Sequence, residues 1–429
     1  MALSGRVPLL LLLGLVPVVL RPTTGTVWLW VLAVLVLTAA DWLLAPRPDV
    51  LTCTRRPIGT VRLGTPTEST LLVVNTSRRR VRARVRDAWQ PTAGAAGNRH
   101  AVRLAADDRV VLRTPLLPRR RGDLRAVGVT LRVSGPLGLA ARQETRQVPG
   151  TVRALPPFDS RKHLPSRLAR LRELDGRSAV RVRGQGTEFD SLREYVRGDD
   201  VRSIDWRASA RSPGVVVRTW QPERDRRVVL VLDTSRVSAG RVDDVPRLDS
   251  AMDAALMLAA LAARAGDRVD FVAGDRRVRS RLRLSGRDVA HRLQEAMADL
   301  EPVIAEADWS SLAGAVNGLG RRRALVVLLT ALEPSAVEEG LLPVLAVLTH
   351  HHRVVLASVR DPALERLAGS RDDLVKVYDA AAAEQVLDRR RRTADLLNAL
   401  GVHVVDADAE RLPPALADHY LDLKARGLL

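Results

Sequence analysis

The sequence predicts a multidomain chain: an N-terminal transmembrane helical hairpin, a β-sandwich-like module and a doubly wound α/β domain. Three observations predict it. Two apolar runs, Val7 to Leu20 and Thr26 to Leu44, open the chain. From Leu51 to Pro157 short β-branched or alternating runs follow, punctuated by proline, glycine and asparagine, with no long helical period. From Arg227 compact apolar runs alternate with helical stretches, the order of a parallel sheet covered on both faces. The corresponding domains are residues 1–46, 47–157 and 228–429, with a linking segment over 158–227.

Composition bounds the reading. At 429 residues the chain has room for two or three domains, and 46% hydrophobic residues exclude wholesale disorder. The net charge of +19 and pI near 11.3 raise nucleic acid as a partner. Lys162, Lys376 and Lys424 are the only lysines, however, so the charge is arginine and points equally to a GC-rich genome. The runs Arg78 to Arg80, Arg119 to Arg121, Arg321 to Arg323 and Arg389 to Arg392 are scattered and lack interleaved aromatics, so they read as solvated faces. No nucleic acid is expected. Cys53 is the only cysteine, which excludes an intrachain disulfide and a cysteine zinc site.

The second apolar run is long enough to span a bilayer and the first is marginal. Only a short Arg21 to Gly25 turn separates them, which favours a hairpin over a cleaved signal. Arg6 precedes the first run, Arg47, Arg55 and Arg56 follow the second, and Arg21 alone lies between. The positive-inside rule puts both ends and the soluble part in the cytoplasm of a two-pass plasma-membrane protein. Trp28, Trp30 and Trp42 are placed as interfacial anchors, and Asp41 at headgroup level needs no further role.

In the β-rich module, Thr70 to Asn75, Val81 to Asp87, Val110 to Thr114 and Ala126 to Val133 read as strands of an antiparallel sandwich. Strands of the α/β domain are Val228 to Leu232, Arg268 to Ala273, Ala324 to Thr330, Val354 to Val359 and Val402 to Val405, with Val278 to Leu284 an exposed edge. Helices are expected over Leu248 to Arg264, Arg287 to Leu300, Ser310 to Leu319, Ala336 to His350 and Glu384 to Leu400. Ligands of such a sheet sit at the C-terminal strand ends.

The segment from Gly184 to Arg211 is the most distinctive. Glu188, Asp190, Glu194, Asp199, Asp200 and Asp205 face Arg193, Arg197, Arg202, Arg207 and Arg211, with Phe189, Tyr195 and Trp206 among them. Ser191 and Glu194 form a capping-box pattern for one helix. Asp199 and Asp200 would start a second, and Arg207 and Arg211 would end it. There Asp205 lies beside the apolar stripe of Val201, Ile204 and Ala208 and needs an arginine of the segment. Gly214 to Trp220 reads as a strand leading directly into the first core strand. The segment should therefore pack on the same core and bury Trp206 and Trp220. It is a structural knot or a partner-docking surface.

Gly184, Gly186, Glu188, Phe189, Leu192, Arg193, Tyr195, Gly198, Asp199, Asp200, Arg202, Ile204, Asp205, Trp206, Ala208, Ala210 and Arg211 hold a fixed spacing. It resembles the signature of the bacterial family called domain of unknown function fifty-eight. The resemblance implies a von Willebrand factor A-like α/β domain in a membrane protein that keeps company with MoxR-type AAA+ ATPases. Such a domain carries D-x-S-x-S at its first strand end, where a carboxylate and two hydroxyls suit magnesium. Asp233 and Ser235 fit, but Val237 replaces the second serine and no aspartate follows Thr330, where Glu333 is the nearest acid. Asp308, Ser310 and Ser311 offer further oxygens. The site reads as degenerate and unoccupied; no cofactor is expected, magnesium being the one ion it partly suits. His350, His351 and His352 would point in three directions on a helix. No P-loop or nucleophile elbow is present.

The expectation is a non-enzymatic, cytoplasm-facing membrane adaptor for a MoxR-type ATPase in complex assembly or envelope remodelling. Two alternatives are a magnesium-dependent hydrolase or ligand-binding domain at Asp233, and binding of nucleic acid or an anionic surface through arginine faces.

Overall fold

The described residues of the computed structural model are 2–181, 188–197, 199–221, 226–286, 288–320 and 322–429. The chain divides into two units, Met1–Leu155 and Pro156–Leu429.

In the first unit, strand β1 (Ala2–Leu3) precedes helices α1 (Arg6–Leu13), α2 (Leu15–Leu20) and α3 (Thr24–Leu44). Gly14 separates α1 from α2 because Trp30 of α3 lies against it and leaves no room for a side chain. Trp30 Nε1 donates to the Leu10 carbonyl at 3.0 Å. Thr23 caps α3 through the Thr26 amide. At about 1.5 Å per residue α3 measures about 32 Å, and it is the one described helix long and apolar enough to cross a membrane. Leu29, Leu32 and Leu35 are each more than half exposed on it.

Asp41 departs from the headgroup reading. It is buried, and its carboxylate accepts from three backbone amides: Leu137 at 2.7 Å, Leu139 at 2.7 Å and Ala140 at 2.8 Å. Arg6 donates to the Leu137 carbonyl at 2.9 Å. The turn from Gly135 to Leu139 is thus held by one residue from each end of the helical stretch, and β1 pairs with the strand after the turn.

Strands β2 (Leu51–Arg55), β3 (Val61–Arg62), β4 (Thr67–Asn75), β5 (Val81–Trp89), β6 (Arg99–Leu104), β7 (Arg109–Leu116), β8 (Gly122–Ser134), β9 (Ala140–Arg146) and β10 (Thr151–Leu155) form two sheets. One runs β2-β4-β7; the other runs β1-β9-β8-β10-β3, with β5 also paired to β8 and β6 paired to β5. Leu51, Leu71, Val73 and Leu112 of the first share a core with Val85, Val102, Val129 and Leu131 of the second, a sandwich. Its middle holds a charge pair: Arg55 binds Asp87 at 2.7 Å with side chains 1% and 0% exposed. The Cys53 thiol, on β2, is pushed up to about 11 by burial, which keeps it in the unreactive thiol form near neutral pH.

In the second unit, α4 (Leu164–Arg181) was not anticipated. Leu164, Leu168, Leu171 and Leu174 repeat along one face and join the main core. The signature segment follows. Strand β11 (Glu188–Glu194) stands where the capping box predicts a helix; helix α5 (Trp206–Ser209) is four residues long; strand β12 (Val216–Gln221) pairs antiparallel with β11. Pairing with β12 overrides the local capping preference of Ser191 and Glu194.

The α/β sheet comprises β13 (Arg227–Asp233), β16 (Arg268–Gly274), the antiparallel edge β17 (Val278–Leu284), β18 (Leu325–Leu329), β19 (Arg353–Val359) and β20 (Val402–Ala407), in the order β17-β16-β13-β18-β19-β20. The short hairpin β14 (Arg241–Val242) and β15 (Val245–Pro246) leads into α6 (Arg247–Arg264). Helix α6 is buried along nearly its whole surface. Its core takes Leu230 and Leu232 from the sheet and α12 (Leu412–Ala425) beside it. The opposite core packs α8 (Trp309–Asn317) and α9 (Leu342–His351) on Val229 and Val231, with Leu397 from α11 (Leu374–Ala399). Helices α7 (Val289–Met297) and α10 (Pro362–Gly369) complete the unit. Helix α12 escapes the sequence reading because Pro413 and Pro414 look like breakers; they occupy its first turn, where proline is tolerated.

Two of the arginines read as solvated are not. Arg121 and Arg390 are buried, and Arg390 binds Asp406 at 2.7 Å and Ser358 Oγ at 3.0 Å.

Asp253 of α6 accepts from the Ser160 amide at 3.1 Å and Ser160 Oγ at 2.8 Å. Burial pushes its carboxyl up to about 6, and the charge of Asp159 adds to this against the Ser160 bonds. A carboxyl raised in the folded state contributes stability below its ordinary pKa and loses it as pH climbs to about 6. Asp253→Asn should therefore raise stability at pH 7.5 by about 2–3 kcal/mol and change little at pH 4, read by thermal melts at the two pH values.

Candidate functional site

The first strand of the α/β sheet, β13, is central. Its chain crosses to β16 on one side and later to β18 on the other, so a crevice opens at their C-terminal ends. The crevice holds about 220 Å³ and is lined by Asp233, Ser235, Val237, Glu306, Thr330 and Glu339, among others. Asp233 on its floor is 1% exposed. Its Oδ1 accepts from the Ser235 amide at 2.8 Å and its Oδ2 from Thr330 Oγ1 at 2.6 Å. Burial raises the Asp233 carboxyl above its usual range against the bonds from Thr330 and Ser235, and the charge of Asp275 adds to the rise. Ser235 Oγ is buried with no hydrogen bond of good geometry among the described residues, and it lies near enough to the Asp233 carboxyl to help hold it down.

The other oxygens named from the sequence are committed elsewhere. Asp308 caps α8, accepting from the Ser311 amide at 3.0 Å and Ser311 Oγ at 2.5 Å, bonds that hold its carboxyl below the usual range. Glu333 binds Arg247 at 3.0 Å, and Glu306 binds Arg236. Val237 lines the crevice where a second serine would stand, and Leu332 is buried in the core. Among the described residues no three His, Cys, Asp or Glu side chains converge as metal ligands. The donor set is two hydroxyls and one saturated carboxylate, an incomplete match to a magnesium site.

In the signature segment, the sequence correctly identifies Asp205 as needing an arginine but not which one. Asp205 does not lie inside a helix; it caps α5 through the Arg207 amide at 3.1 Å and the Ala208 amide at 3.0 Å. Its ion partner is Arg218 of β12 at 2.8 Å, which lies beyond the expected segment Gly184 to Arg211. Arg193 instead binds Asp199 at 2.6 Å, and Asp199 also accepts from the Val196 amide at 2.9 Å. The Arg193 bond, then the Val196 amide, hold the Asp199 carboxyl low. Asp200 caps the turn Val201–Ser203 through the Arg202 amide at 3.0 Å. The single predicted helix is thus broken at Ile204, which bridges to Val217 of the hairpin.

Trp206 is not buried. It is 67% exposed, and none of the hydrophobic cores takes a described residue between 188 and 221. Tyr195, Val196 and Val201 are exposed as well. Arg197, Arg202, Arg207 and Arg211 have no carboxylate partner among the described residues. Gly184, Gly186, Gly198 and the side chains of Glu188, Phe189 and Trp220 lie outside the described residues.

Residues 191–395 match the family described as "Protein of unknown function DUF58". They belong to the DUF58 family.

A search of curated proteins found no match. Solved structures similar to parts of the chain include the PapD-like domain of human CEP192, at 13% identity and TM-score 0.20, covering 26% of this chain and 88% of that one. The CARDB domain of the PF1109 protein of Pyrococcus furiosus is 20% identical at TM-score 0.19, covering 24% and 91%. Native α2-macroglobulin of Escherichia coli is 20% identical at TM-score 0.21, covering 26% and 17%.

The DUF58 match takes in the signature from Ser191 onward and the Asp233 crevice. Sequence reasoning found the crevice residues through their strand-end position. It missed the Thr330 hydroxyl as the partner of Asp233, because nothing in a lone threonine announces a neighbour 97 residues away. His350, His351 and His352, expected to point in three directions on a helix, do not act together. Helix α9 ends at His351, and His352 turns inward to meet Asn317 Oδ1 at 3.4 Å.

Proposed function

We propose that this DUF58 protein is a membrane-anchored, cytoplasm-facing adaptor whose signature segment docks a MoxR-type AAA+ ATPase. One observation carries the reading: Trp206, Val201, Val196 and Tyr195 are exposed beside four arginines that have no carboxylate partner among the described residues, on a hairpin whose described side chains, the buried Val216 and Val217 included, join none of the main hydrophobic clusters. Exposed aromatic and arginine side chains are the residue types that dominate binding energy at interfaces. The carboxylates of the segment serve to shape it: Asp199, Asp200 and Asp205 each hold a turn. The expected outcome is that Trp206→Ala leaves the melting temperature of the full chain within about 1 °C while sharply reducing recovery of the ATPase from membranes. Equal recovery with wild type and variant would refute the docking role. Trp206 is a cleaner target than Asp199 or Asp200, whose removal would also disturb the turn.

Two-pass anchoring is part of the proposal. Residues 2–3 pair with β9 and Arg6 grips the same turn as Asp41, which favours both ends of the helical stretch on one side. The stretch Arg6–Leu20 covers only about 22 Å, so it would span a locally thinned bilayer. The arginine asymmetry makes that side cytoplasmic. A reporter after Leu429 that is active only outside the cytoplasm would overturn the orientation.

A second reading, a von Willebrand factor A-like crevice that takes magnesium, rests on the buried Ser235 hydroxyl, which has no hydrogen bond of good geometry among the described residues. It expects millimolar magnesium to raise the melting temperature over chelator, with the rise abolished in Asp233→Asn; identical melts would leave the adaptor reading alone.

A further inference from the structure

A second cleft, of about 1110 Å³, opens on the α/β domain between β19, β20, the end of α9 and α12. Its two carboxylates are already neutralised. Asp406 binds Arg390 at 2.7 Å, and Asp422 binds Arg170 at 2.6 Å. Arg323, Arg353 and Arg426 also line it, and none has a carboxylate partner among the described residues.

Three buried side-chain nitrogens with no hydrogen-bond partner among the described residues line it. Arg353 Nε is buried and donates to nothing. A guanidinium keeps its protons throughout the range in which proteins are folded, so this is a donor lacking an acceptor. The His403 and His419 rings stack with centroids 3.9 Å apart and planes 3° apart, and His419 Nε2 is buried without a partner. His352, 5% exposed, meets Asn317 through Nε2 and leaves Nδ1 unbonded. Burial first, then His403, Arg353 and Arg426, push the His419 imidazole down to about 4 against the pull of Asp422. At neutral pH the stack is therefore uncharged and the arginines set the sign of the cleft.

Three unpaired guanidinium groups around buried, unbonded nitrogens call for a ligand rich in acceptor oxygens. We propose that this cleft binds a phosphate-bearing ligand, its oxyanion held by Arg353, Arg426 and His419 with Arg323 at the rim. Guanidinium groups suit this ligand because their paired N–H groups match two phosphate oxygens at once. The volume exceeds what a bare phosphate fills, so the ligand carries an organic portion, which is either soluble or the headgroup of a lipid.

The test is calorimetric titration of the full chain in detergent with inorganic pyrophosphate and with glycerol 3-phosphate. Flotation with phosphatidylcholine vesicles, with and without phosphatidylglycerol, runs in parallel. A soluble probe should bind wild type, and Arg353→Gln should weaken it at least tenfold. Arg426→Gln, at an exposed position that does not contribute to a core, should weaken it several-fold at unchanged melting temperature. Capture only on phosphatidylglycerol vesicles, lost in the same variants, would assign the phosphate to a lipid headgroup and support the site equally. Absence of binding in both arms, or binding unchanged in Arg426→Gln, overturns the proposal even if Arg353→Gln fails to fold.

Discussion

Asp87→Asn is expected to destabilise the β-rich sandwich by about 3–5 kcal/mol, because it leaves the Arg55 guanidinium charged, buried and uncompensated. The carboxylate binds Arg55 at both oxygens, 2.7 Å and 3.0 Å, and accepts from Ser69 Oγ at 3.1 Å and Trp89 Nε1 at 3.2 Å. The guanidinium lies over the Trp89 ring, 4.9 Å from its centroid, and Gly150 leaves space for it on another side. Burial alone would push the Asp87 carboxyl up; the bonds and charge of Arg55, with those from Trp89 and Ser69, outweigh it and hold it below the usual range. A depressed carboxyl contributes stability above its ordinary pKa of about 4, and that stability is lost as pH falls below it. Hydrogen-exchange protection factors at the β5 amides should therefore fall in Asp87→Asn at neutral pH and, corrected for intrinsic rate, in wild type under acid. The double change Arg55→Met with Asp87→Leu should recover much of the loss, since a buried pair replaced by apolar side chains of similar volume is often neutral. Exchange in Asp87→Asn matching wild type at pH 7 would show that the pair contributes little.

Asp41→Ala is the second large effect. It strips the carboxylate from three backbone amides, two in the turn after β8 and one at the start of β9, while leaving the helix backbone untouched. Unmet buried donors cost about 1–3 kcal/mol each, so the turn should detach at a total of about 3–5 kcal/mol. Limited proteolysis of the full chain in detergent should then show new cleavage near Gly135 to Leu139. Asp41→Asn, which keeps one acceptor oxygen, should fall between. Cleavage unchanged in Asp41→Ala would mean that the turn is held by Arg6 and the β1 pairing alone.

The α/β domain was legible because a parallel sheet buries both faces of its strands, which writes continuous Val and Leu runs such as Val228 to Leu232 into the chain. Half of the sandwich was less legible. Strand β6 carries Arg99 and Arg103 on its open face, and β9 carries Arg142 and Arg146 on its half-buried face, and so many charges mask the alternation. The Asp233 crevice was legible as a position and not as a network. The signature gave away its family through fixed spacing, yet its local structure misled. Ser191 and Glu194 satisfy a helix cap as a pattern, while β11 and β12 exchange backbone bonds that no local rule anticipates. Asp41 was dismissed because a carboxylate near the end of an apolar helix is ordinary until its acceptor geometry is seen.

The pairing of Ala2 and Leu3 with Ala141 and Ala140 bears on how the chain is made. These partners emerge from the ribosome almost 140 residues apart, a delay of roughly 7–28 s at ordinary elongation rates. Throughout that interval the first strand has no β9 to pair with, while all three helices have already been synthesised. The Arg6 and Asp41 contacts to the turn before β9 wait for the same moment. Closure of the sandwich edge is therefore a late event that reports whether the helices arrived correctly. A chain whose apolar stretch has been misplaced would display an unpaired β9 edge to the quality-control machinery of the cell.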